Sequence, residues 1–166
     1  MRVIGIDPGV AITGYGIIDE NGSEYNYLDS GCVRTPKDLN SASRLKDIHD
    51  FIFDLVSNYG PQALAVEKLF FSKNVRTAFQ VGEARGVIIL VAARCNVELF
   101  EYTPLQIKQA VAGYGKAEKK QVQKMVQMLL KLSHNLQVDD EADALAVALC
   151  HLQNRRYHEA VKGGKP

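Results

Sequence analysis

Residues 3–33 read VIGIDPGVAITGYGIIDENGSEYNYLDSGCV, and their punctuation decides the fold. Val3 to Ile6 is a short apolar run stopped by Pro8-Gly9. Tyr15 and Ile17 alternate with glycines as far as Asp19, and Asn21-Gly22 then supplies the positive-φ pair of a two-residue hairpin. Tyr25, Tyr27 and the stretch to Val33 form the returning strand. Strands joined by hairpins cannot all be parallel. A helix follows, with Leu45, Ile48, Ile52 and Leu55 at helical spacing and Asn58, Gly60 and Pro61 to end it.

Beyond that helix the pattern alternates. Ala63 to Val66 is a continuous apolar run, as expected of a strand buried on both faces. A long helix from about Val75 to Arg94 precedes another strand, Val97 to Tyr102. Thr103 to Gln106 has the T-x-x-Q capping-box form with Pro104 at the first helical position, so a helix opens there and Gly113-Tyr114-Gly115 breaks it. The next helix carries Val122, Met125, Val126 and Leu129 on one face and runs to about Leu132. Asp139-Asp140 opens the last one, whose inner stripe is Ala142, Leu145, Ala146 and Leu149. The order β-β-β-α-β-α-β followed by helices predicts an α/β fold with a mixed sheet.

Composition narrows the class. With 166 residues, 46% hydrophobic and 23% charged, the chain suits one soluble globular domain and not a disordered or collagen-like one. A chain of this length buries roughly 70% of its unfolded surface, so it needs no disulfide staple. The longest apolar run, Val87 to Ala93, is too short to span a bilayer, and no signal-peptide core follows Met1. Cys32, Cys95 and Cys150 are scattered and form no C-x-x-C pair, and His49, His134, His151 and His158 lack metal-ligand spacing. These features predict a cytoplasmic protein without membrane contact. One domain is expected over residues 1–158, with a disordered tail over 159–166.

Four acids stand apart from this structural pattern. Asp7 ends the first strand at a Pro-Gly turn, and Glu67 ends the buried strand Ala63-Leu-Ala-Val-Glu. Asp140 and Asp143 lie three apart in the opening of the last helix. Each has an ordinary explanation alone: an Asx turn for Asp7, a strand end for Glu67, capping and the helix dipole for the aspartates. Together they fit a site, because ligands of α/β sheets bind beyond the carboxyl ends of the strands. Clustered carboxylates repel unless a cation neutralises them, and oxygen-only ligands point to Mg²⁺ or Mn²⁺. The chemistry that fits is phosphodiester hydrolysis with two metal ions.

Gly5-Ile6-Asp7-Pro8-Gly9 with Thr13-Gly14-Tyr15-Gly16 resembles the opening of the RuvC family of bacterial Holliday-junction resolvases. Ala65-Val66-Glu67 with Phe70-Phe71 resembles its second acidic motif. Ala84-Arg85-Gly86, Gln106-Ile107-Lys108-Gln109, Ala117-Glu118-Lys119 and Ala142-Asp143-Ala144-Leu145-Ala146 follow in the family's order. The resemblance covers residues 1 to about 155. It implies a ribonuclease H-like fold with a mixed five-stranded sheet, a homodimer, and Asp7, Glu67, Asp140 and Asp143 as metal-binding catalytic carboxylates. It further implies that Phe70 packs against a base near the junction centre and that Lys108 and Lys119 contact phosphate. Lys68 departs from the pattern, and Glu141 is an extra acid beside Asp140.

A net charge of only +1 argues at first against a nucleic-acid partner, but its distribution reverses that inference. Residues 1–60 hold 5 basic and 9 acidic side chains, whereas residues 104–131 hold six lysines against Glu118 alone. Beside a carboxylate cluster, such a stretch suits phosphate tracking. In the helix from Val75, Gly82 permits close helix approach and Phe79 is placed to pack across a two-fold axis. The expected activity is Mg²⁺-dependent paired nicking of a four-way DNA junction in recombination and repair, in concert with branch-migration helicase and junction-binding proteins. The alternatives are a ribonuclease H-type hydrolase of RNA–DNA hybrids, an actin-like nucleotide-binding module, and a junction-binding scaffold without catalysis.

Overall fold

The computed structural model describes residues 1–68, 75–133, 136 and 138–163, of which 75–77 and 156–163 by backbone alone. Strands β1 (Arg2–Asp7), β2 (Ile12–Asn21) and β3 (Glu24–Arg34) form an antiparallel meander. Helix α1 (Ser41–Tyr59) leads to β4 (Ala63–Glu67), and α2 (Val75–Arg94) to β5 (Glu98–Tyr102). β4 lies parallel to β1, and β5 parallel to β4. The strand order is β3-β2-β1-β4-β5, the mixed five-stranded sheet of the ribonuclease H-like fold. Helices α3 (Pro104–Ala112), α4 (Lys119–Leu129) and α5 (Asp139–Gly163) complete the chain.

The β2–β3 turn differs by one residue from its expected position. Asn21 still pairs with Glu24, so Gly22 and Ser23 make the turn, and only Gly22 has a positive φ, 57°. A glycine at the first turn position meets that requirement without help from Asn21. At the other end of the chain, α5 is helical to Gly163. Residues 164–166 lie outside the described ones. Among the described residues no helix is long and apolar enough to cross a membrane.

Strand alternation separates two cores. Val3, Ala63, Ala65 and Ile18 pack with α3, α4 and α5, whereas Ile4, Ile6, Ile17 and Leu64 pack with α1 and α2. Asp7 and Glu67 keep step with Val3 and Ala63, so the period of two aims both carboxylates at the α5 face. On that face α5 nearly touches the sheet. A Cβ on Gly5 would lie 2.1 Å from the Ala144 carbonyl oxygen, and one on Gly14 would lie 2.1 Å from that of Asp140. The glycines thus set the height of α5 above the strand ends.

Candidate active site

Ile6 and Val66 are partners in the parallel ladder, so the next residues, Asp7 and Glu67, emerge side by side at the carboxyl ends of two interior strands. The turn after Asp7 is closed by Thr13, whose hydroxyl donates to the Gly9 carbonyl at 2.6 Å. Asp7 is therefore not spent on an Asx turn. The first turns of α5 bring the other two acids, with the Asp140 backbone over Gly14, which pairs with Asp7 across β1 and β2. Asp143 joins Glu67 in the wall of a cleft of about 220 Å³.

The acids feel one another. Burial, and then the charges of Glu67, Asp143 and Asp140, push the Asp7 carboxyl up to about 7. Glu67 is raised by burial and by Asp143, with Lys108 and Lys119 pulling the other way. Burial also raises Asp143, against the pull of Lys119. A site that drives carboxylates toward protonation at neutral pH is one that a cation would stabilise.

The cation found there is Lys119. Its Nζ donates to Asp143 Oδ2 at 2.8 Å and lies 3.3 Å from Asp139 Oδ2. Burial pulls the Lys119 pKa down, but its bonds to the two aspartates outweigh that and raise it. Among the described residues no three Asp, Glu, His or Cys side chains form a ready-made metal cage. The donor set nevertheless fits a hard divalent ion: four carboxylates, no sulfur or imidazole, and a mutual repulsion that such an ion removes.

Lys108 is carried to the same cleft by α3, whose start is fixed by a full capping box. The Thr103 hydroxyl accepts from the Gln106 amide at 3.2 Å, and Gln106 Oε1 accepts from the Thr103 amide at 2.9 Å. Lys119 opens α4, where Gln121 Oε1 accepts from the Glu118 amide at 2.9 Å. Phe70 falls outside the described residues. Glu141, the acid beside Asp140, turns away: it is buried and accepts from Ser30 Oγ at 2.5 Å. The Lys119–Asp139 contact was not foreseen, because Asp139 reads from sequence only as a helix-opening residue.

Residues 3–151 match the family model for crossover junction endodeoxyribonuclease RuvC. The chain belongs to the RuvC family. It is 52% identical over 151 residues to the crossover junction endodeoxyribonuclease RuvC of Halothermothrix orenii, covering 91% of this chain and 92% of that one. It is 49% identical over 162 residues to the RuvC of Alkaliphilus oremlandii, covering 98% and 99%. Its fold matches that of Thermus thermophilus RuvC, solved in complex with a Holliday junction substrate, with a TM-score of 0.91 and 34% identity over 95% and 96% of the two chains. RuvC membership makes the chain an endonuclease of the metal-dependent class, which agrees with a carboxylate cluster flanked by lysines.

Proposed function

We propose that this RuvC-family chain resolves four-way DNA junctions by paired nicking of two strands, as part of recombination and repair. The observation that carries this reading is the convergence of Asp7, Glu67, Asp140 and Asp143 at the carboxyl ends of β1 and β4, with Lys108 and Lys119 beside them. The four carboxylates would hold Mg²⁺, two ions per site, with Mn²⁺ able to replace it. When bound, the metal would supply Lewis acidity for the attacking water and the departing 3′-oxygen. Lys108 and Lys119 hold the backbone phosphate in place, a positioning role without sequence readout. Lys119 also neutralises Asp143 until DNA and metal arrive. Phe70 stacks on a base at the branch point.

The test is a synthetic four-way junction incubated with and without Mg²⁺, beside an RNA–DNA hybrid and a plain duplex. Symmetric, ligatable nicks in the junction alone are expected, and Glu67→Gln abolishes them while leaving junction binding largely intact. Cutting of the hybrid in preference would overturn the reading. The phosphate role is checked separately. Lys108→Ala with Lys119→Ala lowers the slope of log K against log salt by about 2, one for each lysine removed, and an unchanged slope refutes it.

The catalytic unit is a single domain over residues 1–158, and it works in the cytoplasm as a homodimer that offers two sites for two strands. Phe79, 72% exposed, and Leu90, 53% exposed, put a large apolar surface on α2. Replacing Phe79 by Asp is expected to shift sedimentation from dimer to monomer at micromolar protein; a dimer that persists unchanged excludes this face. Branch-migration helicase and junction-binding proteins supply the assembled substrate.

A further inference from the structure

We propose that Lys37 and Arg44 form a second phosphate-binding site, which holds a phosphodiester of the cleaved strand on the side of the carboxylates opposite Lys108 and Lys119. The inference rests on the nuclease reading above and adds the path of the strand through the site. A second cleft, of about 460 Å³, opens between the β1–β2 turn, Lys37, Arg44 and Gln80, with Asp140 in its wall.

Sheet order puts the two clefts on opposite sides of Asp7. Glu67 ends β4 on one side of β1, whereas Asp140 sits over Gly14 of β2 on the other. Glu67 and Asp143 line the first cleft and Asp140 the second, while Asp7 responds to all three charges. A strand whose scissile phosphate lies over Asp7 therefore sends its neighbouring phosphates into one cleft on each side. The first cleft has cations ready for them, Lys108 and Lys119.

The second has its own pair, and it is held in place. Arg44 Nε donates to Thr35 Oγ1 at 2.8 Å, and the Thr35 hydroxyl donates to the Val10 carbonyl at 2.5 Å. The Thr35 amide donates to the Ala11 carbonyl at 3.2 Å. Arg44 is thus tied through Thr35 to the turn that follows Asp7. Three other arginines are neutralised by the fold, Arg2 by Asp19, Arg85 by Glu101 and Arg155 by Glu20. Among the described residues neither Arg44 nor Lys37 has a carboxylate partner, although Asp140 shares their cleft. An oriented guanidinium with its terminal nitrogens uncommitted, next to an exposed ammonium, is the donor set that a phosphate oxygen takes.

The experiment measures binding, with EDTA present, of junctions that carry one uncharged methylphosphonate at successive positions on either side of the cut. Wild type is compared with Lys37→Ala and with Arg44→Gln, which keeps an N–H donor for Thr35 but loses the charge. Neutralising one phosphate on the far side from Lys108 is expected to weaken wild-type binding about tenfold and to cost the Lys37 and Arg44 variants, each left with one cation, markedly less. The same substitution on the near side costs wild type and these variants equally. The site is overturned if both variants bind like wild type, or if every neutralised phosphate costs them as much as it costs wild type. If wild type itself neither binds nor cuts the junction, the nuclease reading fails first and takes this site with it.

Discussion

Asp7→Asn abolishes junction cleavage and, in metal-free buffer at pH 8, raises the melting temperature by about 4–8 °C, the equivalent of ~2 kcal/mol in a chain of this size. The two effects have one cause. Asp7 carries its charge against burial and against three neighbouring carboxylates, which push its carboxyl from 3.8 to about 7. A folded pKa above the unfolded one means that the native state binds the extra proton. Stability from that proton is full below 3.8 and is lost as pH rises through 7, so wild type at pH 8 bears the whole repulsion. Asparagine removes the charge but still buries an amide, which holds the gain below the full value of the shift. The gain therefore shrinks as pH falls from 7 toward 4. Cleavage is expected to fall by more than about 10³-fold, because the proposed site loses one of its four acids. Added Mg²⁺ should raise the wild-type melting temperature and raise that of Asp7→Asn much less. A variant that melts below wild type at pH 8 would show that the cluster is not under electrostatic load.

Local chemistry made much of this readable. The Thr103-Pro104 capping box, the apolar run ending in Glu67 and the turn after Asp7 all rest on neighbours in sequence, and their elements stand where expected. The same locality brought Asp7 and Glu67 into view, since both end strands. What could not be read depends on partners far along the chain. Gly5, Gly14 and Gly16 look like mere alternation in a strand until α5 is laid across them. Glu141 competes with Asp140 on paper, and only the packing of α5 on β3 turns it to Ser30. Lys119 read as a phosphate contact, and the fold alone gives it Asp143 and Asp139 as partners. His151 lacked any motif. Its burial pushes the imidazole down to about 4, and Nδ1 pairs with the Tyr102 hydroxyl at 2.8 Å, joining α5 to the end of β5.

The glycines whose contact with α5 only the fold reveals carry the second large effect, and Gly14→Ala is its sharpest form. The added Cβ would meet the Asp140 carbonyl oxygen at 2.1 Å and its carbon at 2.6 Å. Neither atom belongs to a side chain that can swing aside. β2 cannot yield either, because Gly14 is paired with Asp7 on one edge and with Cys32 on the other. The first turn of α5 must lift. Overpacking of this kind costs about 3 kcal/mol, or roughly 6–12 °C in melting temperature. The lift also carries Asp140 off its place beside Asp7, and if the proposed site is right, a displacement near 1 Å there costs on the order of 10²-fold in rate. Gly31→Ala is the matched comparison, one strand over. Its Cβ would meet the Tyr15 ring at 3.1 Å, a side chain held by Asp29 and Phe51 but able to give by a few tenths of an ångström, so a loss of about 1 kcal/mol with cleavage retained is expected. Thermal melts and single-turnover junction cleavage of the two variants separate the cases. Equal behaviour of Gly14→Ala and Gly31→Ala would mean that contact with the α5 backbone does not set the position of the acids.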